Sequence, residues 1–233
     1  KEYICEMKLG LSTDTLDLEG EVIREDLNWN RLSAREIKDA LLSFQGRQEQ
    51  VPPMYSALHY QGQRLYQLAR RGIVVERESR EVEIFKIELL ELNLPLIRFK
   101  AEVSRGCYIR SLVRDIAEKL KSSAVMTFLL RTKSGPFKLE DAVTYEQIEL
   151  EGKKILHNSH QLLNLKHYTV KDEEYHRAEN GNYLIRDNLI EDEIELNEGE
   201  HLLLFSEAGE FLAVSQYQIK DDYEIFQPIK VFI

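Results

Sequence analysis

Cysteine is nearly absent from this chain: the 233 residues hold two, Cys5 and Cys107. They are too few and too far apart for a disulfide framework, so free thiols in a reducing cytoplasm are the expectation. No apolar run approaches the roughly 20 residues that a membrane span needs, and no secretory signal pattern is visible. Gly-rich phosphate loops of the Walker or Rossmann kind are missing as well, which excludes the nucleotide chemistry those loops support. His157 and His160 are three apart, but no third ligand lies near them in sequence. A solvated pair is the expectation there, with neither metal nor cofactor. Cys107 has Arg105 and Arg110 for sequence neighbours, which would lower its thiol pKa, but no His follows at a spacing typical of cysteine proteases.

An excess of positive charge is lacking too. The net charge is −10, with 31 basic against 41 acidic residues. Residues 161–233 carry 16 of the acids and 6 of the bases, so residues 1–160 are balanced at 25 of each. Acidity of this kind argues against non-specific nucleic-acid binding, while leaving room for a local basic groove in the neutral part. The asymmetry suggests two domains, 1–155 and 166–233. Hydrophobic residues make up 43% of the chain, enough for a proper core.

What is present begins with an alternating strand, Tyr3-Ile4-Cys5-Glu6-Met7-Lys8-Leu9, and a polar loop, Ser12-Thr13-Asp14-Thr15-Leu16-Asp17-Leu18-Glu19-Gly20. Asp14, Asp17 and Glu19 could be paired carboxylates or ion ligands, but a loop cluster of acids is more often solvated. Ser33-Ala34-Arg35-Glu36 is a capping box opening a helix that ends near Gly46. Around residues 50–75 lies an insertion opened by the pair Pro52-Pro53, in which Tyr55, His59 and Tyr60 alternate with basic residues such as Arg64, Arg70 and Arg71. A loop packed by its own aromatics is one reading of it, and a nucleic-acid grip is the other. Residues 82–92 read as a strand with an irregularity at Phe85, turning near Asn93-Leu94-Pro95 into a partner strand. Residues 123–130 read as an apolar helix, and Thr144-Tyr145-Glu146-Gln147 as a second capping box. After Tyr168 come short strands at 182–185, 201–205, 211–219 and 225–233, which suggest a small β-barrel.

The richest segment is Ser104-Arg105-Gly106-Cys107-Tyr108-Ile109-Arg110. Phe99, Ala101 and Val103 before it share one face of a strand, and Ile109, Leu112, Val113, Ile116, Ala117 and Leu120 after it follow helical spacing. Gly106 allows the turn between them. Tyr108 and Arg110 are therefore fixed at the mouth of a helix. An aromatic ring beside a guanidinium suits a base and a carboxylate or phosphate. By spacing alone, a structural Arg in a surface salt bridge remains the commoner reading.

Five segments together resemble the TruB-type tRNA pseudouridine synthases, in the family's order and over about residues 1–150. They are Lys1-Glu2-Tyr3; the loop at 12–20; Val51-Pro52-Pro53-Met54-Tyr55-Ser56-Ala57-Leu58-His59 with Gln61-Gly62-Gln63-Arg64-Leu65-Tyr66; residues 104–110; and Phe128-Leu129-Leu130-Arg131. The C-terminal part is similar to a PUA domain, a small RNA-binding module. The resemblance implies an α+β fold with a mainly antiparallel sheet, flanking helices and a C-terminal barrel. It implies a cofactor-free, monomeric cytoplasmic isomerase that converts the T-loop uridine at position 55 of tRNA to pseudouridine, gripping the T-arm with residues 50–75 as a thumb loop. Flipping the target base out of the loop fits that chemistry.

Residue by residue, Tyr3 resembles the Tyr that stacks on the base, Arg110 the Arg that orients the catalytic Asp, and Tyr108 and Leu129 the pocket walls. Tyr55, Ser56, Arg64, Tyr66, Arg105 and Arg131 would contact RNA. Lys166, Lys171 and Arg177 would serve any contact made by the acidic part. The family's catalytic Asp stands in a Gly-x-Leu-Asp-Pro motif upstream of Lys-x-Tyr, and residues 1–233 contain no such motif. Thr15-Leu16-Asp17 matches the family's later loop, not the nucleophile. The expectations are that an N-terminal segment is missing, that residues 1–233 bind tRNA without isomerising it, and that Arg110 faces an unseen segment or sits unpaired in an open cleft. The alternative is a non-catalytic RNA-binding or tRNA-folding module of the same ancestry.

Overall fold

A computed structural model gives the fold, describing residues 1–155, 159–191, 193, 195–221 and 223–232. Two compact units divide it, Lys1–Ala142 and Val143–Ile233. In the first unit the elements run β1 (Glu2–Leu9), β2 (Leu11–Thr13), β3 (Val22–Glu25), α1 (Ala34–Leu42), β4 (Gly46–Gln50), β5 (His59–Tyr60), β6 (Gln63–Arg64) and α2 (Leu65–Ala69). They continue with β7 (Arg80–Asn93), β8 (Leu96–Val103), α3 (Ile109–Lys119), β9 (Ala124–Ser134) and β10 (Phe137–Lys138). The second unit holds α4 (Tyr145–Glu151), β11 (Lys166–Val170), α5 (Tyr175–Glu179), β12 (Leu184–Ile185), β13 (His201–Ser206), β14 (Phe211–Lys220) and β15 (Tyr223–Val231).

The first sheet has the order β10-β9-β1-β8-β7-β4 and is antiparallel throughout. β1 lies inside it because its alternation serves two environments. Tyr3, Cys5, Met7 and Leu9 are buried, and they pack with Phe99, Ala101 and Val103 of β8 and with the apolar faces of α1 and α3. The opposite face of β1 carries Glu2, Ile4, Glu6 and Lys8. Glu6 meets Arg98 directly across on β8 at 2.8 Å, and Glu2 reaches Lys100 diagonally at 2.9 Å. The same two carboxylates accept from Thr127 (2.9 Å) and Thr132 (2.7 Å) of β9. These cross-strand pairs fix the register, since a slip of one residue would drive Glu2 and Glu6 into the core.

Both capping boxes form: Ser33 Oγ accepts from Glu36 N at 3.2 Å and Thr144 Oγ1 from Gln147 N at 3.3 Å. The irregularity at Phe85 is a bulge between Ile84 and Lys86 in the β7–β8 pairing. Residues 123–130 are a correction. They form most of β9, a strand paired to β1, and not a helix. Two register shifts interrupt that pairing, between Glu2 and Tyr3 and between Glu6 and Met7. The shifts pass over Thr127 and Thr132 and break the alternation there, while Ala124 and Val125, ahead of both, are buried side by side; together these hide the period of two.

In the second unit a five-stranded sheet, β11-β13-β14-β15-β12, curls into a half-barrel, in keeping with the small barrel expected there. Tyr168, Val170, Leu184, Leu202, Leu204, Leu212 and Phe226 are buried together beneath it. β11 was not expected as a strand. It pairs parallel to β13, and its burial alternates only at Tyr168 and Val170, too short a signal to read. Ile233, counted in the last expected strand, lies outside the described residues, as does His157. His160 packs its ring on Phe205 and Phe211, at 5.1 and 5.2 Å between centroids. No cluster of His, Cys, Asp and Glu suited to a metal exists among the described residues, and no described helix is long and apolar enough to cross a membrane.

Candidate active site

The turn from β8 into α3 is held from two sides. Gly106 takes φ +91°, a left-handed value that an L side chain rarely adopts. Buried Gln50, at the end of β4, clamps the next residues: its Oε1 accepts from Tyr108 N at 2.8 Å and its Nε2 donates to Tyr108 O at 3.2 Å. Val51 O then accepts from Ser111 Oγ (3.0 Å) and from Arg114 Nη2 (3.2 Å). Tyr108 is thereby set at the N-cap of α3 with extended backbone, and Arg110 in the first turn.

Arg110 is not unpaired. Its Nη1 donates to Asp17 Oδ2 at 2.9 Å and to Thr15 O at 3.0 Å, and its Nη2 donates to Tyr55 O at 2.8 Å. The expectation of an unpaired guanidinium in an open cleft is therefore corrected: the loop at 12–20, read as solvated, supplies a carboxylate to it. Leu16 sits at φ +65°, a strained value for a non-glycine residue, and its carbonyl accepts from Met126 N of β9 at 3.0 Å. That kink turns Asp17 toward Arg110. Asp17 Oδ1 meanwhile accepts from Thr15 Oγ1 (2.6 Å) and Glu19 N (3.2 Å). With three donors on one carboxylate, Asp17 is a positioned anion, most of its lone pairs already committed.

The insertion at 50–75 is tied to the same loop. Tyr55 donates its hydroxyl proton to Asp14 Oδ2 at 3.0 Å, and that bond raises the Tyr55 pKa. Beyond Tyr55, β5 and β6 form a tight hairpin through Gln61 and Gly62, both at positive φ. Met54, Leu65 and Leu68 give the insertion a small core of its own. The insertion thus packs on itself, as the first reading has it, and leaves His59, Tyr60 and Arg64 exposed.

On the sheet, Tyr3 stands opposite Arg131 and Cys5 opposite Leu129 in the β1–β9 pairing. Tyr3 is 8% exposed, with the Arg131 guanidinium 5.6 Å from its ring centre. Leu129 is 41% exposed. Tyr3 packs in one cluster with Ile109 and Cys107, which joins this pair of strands to the α3 turn. Tyr3, Leu129, Arg131, Tyr108, Arg110 and Tyr55 thus belong to one connected region. Ser56 is buried, its carbonyl accepting from Tyr66 N at 3.0 Å. Tyr66 and Arg64 lie out on the insertion: Arg70 covers the Tyr66 ring at 5.6 Å, and Arg64 Nη1 donates to Ala57 O. Arg105 is exposed on the turn.

Asp17, Gln50 and Arg80 were missed as site residues. Asp17 had a signal in the Thr-x-Thr-x-Asp spacing, whose hydroxyls bond to it; Gln50 had none, since a polar residue gives no sign of burial in sequence. Arg80 lies 5.4 Å over the Tyr108 ring. Cys107 is a further correction. Burial pushes its thiol up to about 11, outweighing the hydrogen bond from Gln50, in place of the lowering expected from Arg105 and Arg110. In the second unit, Lys171 Nζ donates to Asp187 O at 2.8 Å, Lys166 Nζ to Glu195 O, and Arg177 pairs with Glu174 at 3.7 Å.

Residues 1–109 match the TruB family pseudouridylate synthase N-terminal domain, and residues 110–178 the tRNA pseudouridylate synthase B C-terminal domain. The chain belongs to the TruB family of pseudouridylate synthases. Among its TruB relatives, tRNA pseudouridine synthase B of Clostridium tetani is 38% identical over 226 residues, covering 97% of this chain and 76% of that protein. The Syntrophomonas wolfei protein of the same name is 35% identical over 240 residues, covering 77% of its own length. That of Francisella tularensis is 46% identical over 149 residues, 64% of this chain and 49% of the relative. The fold is also that of the solved Cbf5-Nop10-Gar1 complex, with a TM-score of 0.68 at 22% identity over 100% of this chain and 66% of that one.

Proposed function

We propose that this chain forms the base pocket and RNA grip of a tRNA uridine isomerase that acts on the T-loop uridine at position 55. The observation that carries the reading is the Arg110 guanidinium, fixed at once to Asp17, to Thr15 and to the insertion through Tyr55. A cation held this firmly can orient a second carboxylate beside a flipped-out base without reorganising. Tyr3 and Tyr108 would face that base, with Leu129 as an apolar wall, and the insertion at 50–75 would close over the T-arm. Isomerisation frees the uracil from its sugar, turns it and rejoins it through carbon, so the pocket must hold a detached ring, a task for shape and stacking.

Asp17 is committed to Arg110, Thr15 and Glu19, and residues 1–233 contain no Gly-x-Leu-Asp-Pro motif. The proposal therefore assigns tRNA binding to residues 1–233 and isomerisation to a chain that also carries that motif. The test measures release of tritium from 5-tritiated uridine in a T-arm RNA, alongside binding of the same RNA. Salt-dependent binding with no release is the expected outcome for residues 1–233. Turnover by residues 1–233 alone, or no binding, overturns it.

A further inference from the structure

Between residues 52–65 and residues 76–80 lies a cleft of about 820 Å³. Its lining includes His59 and Tyr60 from the hairpin and Arg77 and Arg80 from the chain that leads into β7. Glu76 and Glu78 line it as well, and both are exposed.

Arg77 is the group that the fold leaves unexplained. Its Nη1 donates to Pro52 O at 3.1 Å, but its Nε is buried and has no hydrogen-bond partner among the described residues. No carboxylate pairs with it there either. Burial first, and then the nearby Arg114, push the Arg77 pKa below its ordinary value. Arg114 is itself engaged by Asp115 at 2.7 Å and by Val51 O. A partly desolvated cation that faces a second cation and lacks an anion costs stability, unless a ligand completes it. Arg80 likewise has no ion pair among the described residues. Its guanidinium lies over the Tyr108 ring and passes Gly106, within 3.5 Å of where a Cβ would stand. The two arginines therefore lead from the cleft to the turn that carries Tyr108 and Arg110.

We propose that this cleft is an anion subsite for a phosphodiester of the RNA, held by Arg77 and Arg80, with the rings of His59 and Tyr60 beside the adjoining nucleotide. The inference rests on the tRNA-binding reading above. Arginine suits such a group because its planar fork meets two phosphate oxygens at once. The flanking rings give a nucleotide a surface to stack on. Glu76 and Glu78 at the same cleft limit non-specific attraction and make the site selective for a phosphate that reaches the arginines.

The test is binding of a T-arm stem-loop RNA by residues 1–233 across a salt series, followed by fluorescence anisotropy. Arg77→Gln and, as an independent variant, Arg80→Gln each weaken binding several-fold. Each also lowers the slope of log affinity against log salt by about 0.7–0.9, the signature of one lost phosphate contact. Arg77→Lys keeps most of the slope, and Glu78→Gln leaves the slope intact with equal or tighter binding. Weaker binding at unchanged slope for Arg77→Gln and Arg80→Gln would mean that they only brace the loop, and the proposal falls. It falls too if uridine monophosphate raises the melting temperature of the wild type but not of Arg77→Gln while the RNA slope stays unchanged, since the site then serves a free nucleotide. A wild type that binds no RNA overturns the tRNA-binding reading first, a result distinct from an unchanged slope in a wild type that binds.

Discussion

Arg110 and Asp17 are joined at 2.9 Å between Nη1 and Oδ2, with 23% and 20% of their side-chain surfaces exposed. The pair ties the mouth of α3 to the loop at 12–20, and through Tyr55 O it ties both to the insertion. Asp17→Asn and Arg110→Met each remove the charge pairing, and Arg110→Met also strips a donor from two carbonyls. Exposed pairs contribute about 0–1 kcal/mol, while breaking a buried one costs about 3–5 kcal/mol. A pair exposed by a fifth falls between, so each single change should cost roughly 1–3 kcal/mol. A double-mutant cycle by urea denaturation should give a coupling energy clearly above zero. A coupling of zero would make the pair incidental.

Gly106 offers a separate handle on the same turn. An added Cβ would meet only Arg80, at 3.5 Å from Nη1, so space is adequate. Backbone strain is what opposes substitution, because φ is +91°. Gly106→Ala should cost about 1–2 kcal/mol in urea denaturation. It should also weaken T-arm RNA binding, since Tyr108 is placed by this turn. Unchanged stability would show that the turn relaxes without loss.

The strand–turn–helix around Gly106 could be read from sequence because each part carries a local signal: alternation before the turn, a glycine in it, helical spacing after it. β9 carried none, since its two register shifts against β1 arise from pairing with a strand more than 100 residues away. The site divides along the same line. Tyr108 and Arg110 were legible from their place at the helix mouth, and Tyr3 and Leu129 through a family likeness. The role of Asp17 was hidden because it depends on one residue's strained backbone, Leu16, and on a partner 93 positions away. Arg77 was invisible because a missing partner leaves no trace in sequence.

Thiol chemistry tests the burial of that region. Burial holds the Cys107 thiol up at about 11 and raises Cys5 further still. Since the thiolate is the reactive form, neither should react appreciably with a disulfide reagent at pH 8 in the folded protein, and both should react in urea. Cys107 is less buried than Cys5, so it should label first as denaturant is added. Rapid native labelling of Cys107 at pH 8 would contradict a closed turn.

Asp26 is an acid whose titration should bear on stability at low pH. Burial acts to raise its pKa, but donors outweigh that: Ser123 Oγ and N, Asn28 N and Ser122 Oγ all point at its carboxylate, and the net shift is downward. These bonds pin the chain after β3 to the segment between α3 and β9. A carboxyl with a folded pKa below its unfolded value, about 3.9, binds protons more readily when the chain is unfolded. Its contribution is therefore complete above that value and is lost as pH falls through the folded pKa. Asp26→Asn should lower stability at pH 6 by about 1–3 kcal/mol, since the donors lose a charged acceptor. It should also flatten the acid limb of stability against pH below about 4. Urea midpoints of wild type and variant measured from pH 6 down to pH 3 should converge. Parallel curves across that range would mean that Asp26 keeps the same pKa in the unfolded chain, and that its four donors hold it no more tightly than water does.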